Sequence, residues 1–355
     1  MINYLKAWRS IMFAVVCVVG LLSTWYYHKT YLLVAFNADT VGQEIDNKTI
    51  VIASSLCNCQ RESMLRNGPA DEFHWCNSES SSRGGNQKII SYALFGESNT
   101  ERYFKLIANI SLTAADSYPG WIVRIYHNFS RDGPAYGRLC SVYCQHNNVD
   151  LCSVPDMINE EINSGQRSRP EPIDADLLRG LEPQMWRFLV ALDVNVDVFI
   201  SRDIDSVILQ REVDAVQEWL RSNYTFHTMR DHPQHGVTFL AGMWGAKLAQ
   251  RRDLIQGLTR AIINAGQRHK VKSPADQTAL NDILWPTAQY DVMVHDSYHC
   301  QIRSLNAKTG SPNVYPFPSQ RVNFAFVGNI KGLSGTANEC PEACRPTHHQ
   351  DWKYC

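Results

Sequence analysis

Two apolar runs, KIISYALFG (residues 88–96) and WIVRIYHN (121–128), constrain this chain more than any other feature. Each has strand length. Between them Tyr103, Leu106, Ile107 and Ile110 recur at helical spacing behind Ser98 and Glu101, which are spaced as a capping box. A strand, a helix and a second strand in that order predict a parallel pair joined by a right-handed crossover, hence an α/β fold with helices on the faces of its sheet. The alternation continues. A helix is expected at PQMWRFLVALD (183–193), feeding a strand at VDVFI (196–200), and REVDAVQEWLRS (211–222) places Val213, Val216, Trp219 and Leu220 on one helical stripe. GVTFLAGMWGAK (236–247) offers another strand and a Gly-spaced turn, YDVMVHD (290–296) alternates like a strand, and SPADQTALNDILW (273–285) reads as a helix with Ser273 at its N-cap. An apolar content of 44% supplies the core such a fold needs, and a net charge of −1 with no long basic run leaves no footprint for nucleic acid.

The strand VDVFI runs into SRDIDS (201–206), which carries two aspartates a residue apart. Side chains at i and i+2 of a strand share a face, so Asp203 and Asp205 are expected to project together beyond its carboxyl end. In an open α/β sheet that is where ligands gather. Two converging carboxylates suit a hard divalent cation, Mn2+ or Mg2+, with positions left open for phosphate oxygens. A solvated turn with Asp203 paired to Arg202 or Arg211 is the plain alternative.

The N-terminus places the chain relative to a membrane. Ile11 to Tyr27 is uncharged, follows Lys6 and Arg9, and ends in Trp25, Tyr26 and Tyr27. It reads as an uncleaved signal-anchor with residues 1–10 in the cytoplasm, rather than a cleaved signal peptide. Residues 28–88, ending in SESSSRGGNQK, read as a stem, and residues 89–355 as the folded lumenal domain with a Cys-rich C-terminal tail. Ten cysteines lie outside the apolar segment, which suggests up to five disulfides in an oxidising compartment; a zinc site at Cys140, Cys144, His146 and Cys152 is the weaker alternative. Sequons begin at Asn47, Asn109, Asn128 and Asn223, in keeping with an ER or Golgi location.

The order IISYALFG, MWRFLVALD, FISRDIDS, FLAGMWG, ADQTALNDILW and VMVHDS resembles glycosyltransferases of the GT-A fold, and among them the glycogenin-like, retaining family 8 type. The likeness covers roughly residues 88–300. It implies a Rossmann-like mixed sheet flanked by helices, behind one N-terminal transmembrane helix, that moves a sugar from a UDP- or GDP-linked donor to a glycan or glycoprotein. By position it implies Asp203, Asp205 and His295 as metal ligands and Asp276 with Gln277 beside the transferred sugar. Leu240 stands where that family has Asn, and no Gly/Lys pair follows His295.

The remaining candidates come from their settings. Arg187, leading into the metal strand, could clamp the diphosphate bidentately or pair with Glu182 or Asp193. Tyr92 and Gly96 at the end of the opening strand join the donor-binding set. Gly242 would let the backbone approach the sugar, and Trp244 would stack on it or lie in the core. Asp231, in MRDHPQHG (229–236), is a candidate for holding sugar hydroxyls or taking the acceptor proton. His295 could equally be a half-buried histidine, and Asp276 a helix-capping acid. Two further readings stay open: a non-catalytic lumenal binding protein on the same scaffold, and a metal-dependent phosphoesterase.

Overall fold

The computed structural model describes residues 48–54, 56–65, 75–96, 100–163, 173–266, 275–302, 313–330 and 335–355. The expected cytoplasmic tail, the apolar segment and the first part of the stem lie outside these residues, as do Ser98 and the cap at Ser273. Among the described residues no helix is long and apolar enough to cross a membrane.

Lys48–Cys355 forms one compact unit. The antiparallel hairpin β1 (Lys48–Ser54) and β2 (Cys59–Leu65) opens it, so the described parts of the stretch read as a stem include regular structure. Three disulfides fasten this stretch to the domain: Cys57–Cys140, Cys59–Cys144 and Cys76–Cys152. Its Ser- and Gly-rich composition suggested a linker because it cannot show crosslinks to cysteines about eighty residues away. Cys300–Cys344 and Cys340–Cys355 complete the set of ten, so Cys140, Cys144 and Cys152 are not zinc ligands.

The main sheet follows the alternation in the sequence. β3 (Gln87–Leu94), helix α1 (Thr100–Ser117), β4 (Trp121–His127), α2 (Pro134–Gln145), β5 (Val149–Ser153) and α3 (Val154–Asn163) form the first half. A 3-10 helix at Pro183–Leu192 then leads to β6 (Val196–Arg202), α4 (Gln210–Arg221), β7 (Phe226–Arg230), β8 (Met243–Lys247) and α5 (Leu248–Gly266). Helix α6 (Ala275–Ala279), β9 (Val292–Asp296) and β10 (Val314–Tyr315) follow. The eight strands lie in the order β10-β9-β7-β8-β6-β3-β4-β5. β3, β4, β5 and β6 are mutually parallel, while β8 runs antiparallel between β6 and β7. The sheet is therefore mixed. The chain moves outward from β3 through β4 to β5, then returns to β3's other side as β6, so the strand order reverses between β3 and β6.

Burial explains the strand sequences. β4 is buried at every position, and β3 at all but Lys88, which is why these strands read as unbroken apolar runs. One face of the sheet packs Ile90, Val123, Ile125 and Ile200 against Ile107 and Ile110 of α1, Leu139 of α2 and Val216 of α4. The other packs Ile89, Phe199 and Phe226 against the 3-10 helix and against Ile255 and Ile262 of α5. The expected α-helix at 183–193 is thus a 3-10 helix, buried from Met185 to Leu192. Of the strand and turn expected within 236–247, the strand is Met243–Lys247, and the residues before it form a loop.

Charged residues inside this core are paired. Arg124 reaches Asp193 at 2.6 Å and Asp150 at 3.3 Å, and Arg202 reaches Glu212 at 2.6 Å. Removing one partner of such a pair strands a buried charge, at a cost of about 3–5 kcal/mol.

Candidate active site

β6 stops at Arg202. Arg202 turns its guanidinium toward Glu212 of α4, and the chain bends at once, with the Ser206 amide donating to the Asp203 carbonyl at 3.1 Å. The two aspartates therefore belong to a turn and not to a strand face. Their side chains are partly exposed, and the turn lies at the carboxyl end of β6, at the point where the strand order reverses.

Around Asp203 the structure assembles residues far apart in sequence. Arg187, on the 3-10 helix, donates from Nη1 to the Asp203 carboxylate and from Nη2 to Asp276 Oδ2 at 2.9 Å. It also reaches the Arg202 carbonyl at 3.3 Å, so its fork is fixed by the end of β6 itself. Asp276 on α6 accepts from the Gln277 amide at 2.8 Å. The Gln277 side chain ties down the loop before β8: it donates to the Phe239 carbonyl and accepts from the Ala241 amide at 3.3 Å. That loop delivers Gly242 beneath Asp203, where a Cβ would run into the carboxylate. Glycine is needed there for close approach.

Arg187, Asp203, Asp276, Gln277 and Gly242 thus come together, and Asp205 occupies the same turn. Asp203 and Asp276 share one guanidinium at a half-open site. A hard divalent ion is commonly held by one or two carboxylates with phosphate oxygens and water completing its shell. Asp203 and Asp205 fit that mode.

Other expected site residues are placed elsewhere. His295 lies on β9, fully buried, with both ring nitrogens engaged: Nδ1 with His227 Nε2 at 2.8 Å and Nε2 with Glu218 at 3.2 Å. Burial lowers its pKa although Glu218 opposes the shift. It is a satisfied core histidine and not a ligand beside Asp203. Among the described residues no three His, Cys, Asp or Glu side chains group as a metal site.

Asp231 is fully buried and saturated. Arg211 reaches it twice at 3.0 Å, Arg321 at 2.7 Å, Ser297 Oγ at 2.6 Å and the Val327 amide at 2.9 Å. Burial alone would raise its pKa, but Arg211 and Arg321 outweigh burial and hold it below the usual carboxylate range. It has no capacity left to take an acceptor proton or to hold sugar hydroxyls. Trp244 is 2% exposed and packs edge-on against Phe188, Phe199 and Phe239, so it is core rather than a sugar platform. Tyr92 is buried on the α1 side of β3; burial, with Glu212 adding to it, raises its hydroxyl pKa. Its buried hydroxyl has no hydrogen-bond partner among the described residues. Gly96 follows β3 in an exposed turn at φ +81°, a left-handed backbone that favours glycine.

Sequence reasoning passed over Phe95. It is 41% exposed at the carboxyl end of β3 and meets Trp186 edge-on at 6.0 Å, beside Arg187. A large aromatic one residue past a buried strand was the available signal.

No protein-family model matches the sequence, and no curated protein is similar to it in sequence. Among solved structures, the chain is similar to a glycosyltransferase involved in the glycosylation of the major capsid of PBCV-1, at 11% identity over 60% of this chain and 83% of that one, with a TM-score of 0.33. It is also similar to the galactosyltransferase LgtC in complex with donor and acceptor sugar analogs, at 15% identity over 59% and 74% of the two chains, with a TM-score of 0.35. A third is core-mannan synthase A from Aspergillus fumigatus in its Mn/GDP form, at 10% identity over 80% and 94%, with a TM-score of 0.34. At these identities and scores no residue role passes from those proteins to this one.

Proposed function

We propose that this chain is a glycosyltransferase of GT-A type that moves a sugar from a nucleoside diphosphate sugar to a glycan or glycoprotein. One observation carries the reading: Arg187 bridges Asp203 and Asp276 at the strand-order reversal between β3 and β6, where an α/β sheet binds nucleotides. Asp203 and Asp205 would hold Mn2+ or Mg2+, which supplies positive charge to the departing diphosphate. Arg187 already faces that position with a planar fork suited to phosphate oxygens.

Asp276 is nine-tenths buried, with one oxygen on Arg187 and the other on the Gln277 amide. Held in place by Arg187 and the Gln277 amide, its carboxyl group would stabilise positive charge developing at the anomeric carbon. Gln277 positions the loop under Asp203 and is not free to act on the sugar. Phe95 offers an apolar edge to the nucleoside.

Five disulfides are compatible with a lumenal or secreted domain. With Ile11 to Tyr27 as an anchor, the reading is a type II protein of the ER or Golgi membrane. The test is release of UDP or GDP from a panel of nucleotide sugars in the presence of Mn2+. Wild-type protein should release one of the two nucleotides and Asp203→Asn should not; equal release by both proteins would contradict the assignment.

A further inference from the structure

Asp231, which does not serve the reacting sugar, fastens both ends of one surface loop. Arg321 grips its Oδ1 at 2.7 Å and its backbone carbonyl at 2.9 Å, and the Val327 amide takes its Oδ2 at 2.9 Å. Between these two feet the chain exposes Val322 and Phe324, at 70% and 45%. Asn323 and Phe324 are left-handed, at φ +51° and +60°. For a bulky side chain that backbone is a true outlier, and such strain concentrates where a side chain must be held in one place.

The loop's surroundings keep it in that shape. The Phe324 carbonyl accepts from the Thr336 amide at 2.9 Å, and Gly335 passes so close that a Cβ would strike this carbonyl. Tyr354, 36% exposed, meets the Phe324 ring edge-on at 5.2 Å and stands next to Cys355, which Cys340 fixes by a disulfide. Downstream the loop joins the acidic turn. Ser206 donates to the Gly328 carbonyl at 3.3 Å, the Val207 amide donates to Asn329 at 3.2 Å, and Ser206 bridges Ile330. Ser206 follows Asp205 directly.

We propose that Phe324 and Tyr354, with Val322 beside them, form the platform on which the acceptor sugar rests; this deepens the proposed function and depends on it. A pyranose has one apolar face of C–H groups, and two rings held edge-to-face give an apolar corner of that size with a hydroxyl at its margin. Three exposed side chains fall well short of the roughly 800 Å² per partner that a stable protein interface buries, so a second copy of the chain is the poorer occupant. Gly328, Asn329 and Ile330 bond to residues 206 and 207, so the downstream end of the segment that carries the corner is tied to the donor turn, near which an acceptor must lie.

Saturation-transfer NMR on the full-length chain, with the methyl glycosides of glucose, galactose, mannose and xylose as probes, tests the platform. At least one glycoside should receive saturation on its ring C–H protons from wild-type protein. Phe324→Gly and Tyr354→Ala should lose that signal. Glycine adopts the left-handed backbone without strain, so the Tm of Phe324→Gly should hold or rise and loss of signal cannot be laid to unfolding. Mn2+-dependent binding of UDP or GDP, measured on the same samples, should be unchanged in both variants. Its absence from wild-type protein would count against the proposed function instead. Undiminished sugar signal in Phe324→Gly, no signal from any glycoside with wild type, or conversion of a dimer to a monomer by Phe324→Gly would each overturn the platform.

Discussion

Arg187 is nearly buried between the carboxylates of Asp203 and Asp276, and its planar fork makes a single residue able to hold both. Lysine would keep the charge and lose the fork. Arg187→Lys is therefore expected to lower kcat/KM for sugar transfer by about 10–100-fold with Tm little changed, because misplacement of a positioning group costs that order of rate. Steady-state kinetics beside a melting curve checks it. Gly242→Ala should act from below, pushing Asp203 aside and weakening Mn2+-dependent nucleotide binding in calorimetry, while Asp203→Asn removes the charge itself. His295→Gln, in contrast, should leave that binding intact and lower Tm, since it breaks the buried link from His227 to Glu218. At this scale the sequence separated some residues and not others. Asp203, Asp276 and Gly242 were legible because turns and helix starts expose special residue types. His295 and Trp244 stayed open between site and core because the strands here are buried on both faces, so alternation no longer says which side chain meets solvent; Asp231, just past β7, gave no sign of its burial. Their partners, Glu218, Arg321 and Phe188, lie tens of residues away.

Elements carry the next set of consequences. Burial lowers the pKa of His127 at the end of β4 and of His235 in the loop before β8, each from 6.5 to about 4. Asp156 opposes the shift at the first and Asp231 at the second. Both folded values lie below the unfolded one. Between pH 6.5 and 4 the unfolded chain binds protons that the folded rings refuse, so this stability is present above pH 6.5 and is lost as pH falls toward 4. The loss is on the order of 3 kcal/mol for each ring. A Tm series from pH 7.5 to about 4.5 should show the decline, and His127→Asn with His235→Asn should flatten it; a flat wild-type profile would contradict it. Gln277 links two elements, α6 and the loop before β8. Strand and helix positions in the first half were legible because β3, α1 and β4 have distinct periods. The loop at 236–242 was not, since Phe239 and Ala241 are apolar for packing rather than for strand pairing. The 3-10 helix was not either, because a segment buried on all sides shows no stripe.

For the whole molecule, two disulfides fasten the hairpin to α2 and a third joins Cys76 to β5, and this coupling was hidden because cysteine spacing does not fix connectivity. Replacing Cys76 and Cys152 together by serine should cost about 2–5 kcal/mol in denaturant unfolding without changing nucleotide affinity, since the bond lies in the packed first half of the sheet. The α/β class was readable from the alternation of strands and helices; the added hairpin was not, because its anchors are long-range disulfides. The central claim is that a divalent cation on Asp203 and Asp205 joins this chain to a nucleoside diphosphate. Calorimetric titration of UDP and GDP into the purified chain, with Mn2+ and then with excess EDTA, measures it directly. Wild-type protein should bind one nucleotide with Mn2+ and lose it to EDTA, and Asp203→Asn should bind neither even with Mn2+. Equal binding with and without the metal, or in wild type and Asp203→Asn alike, would contradict it.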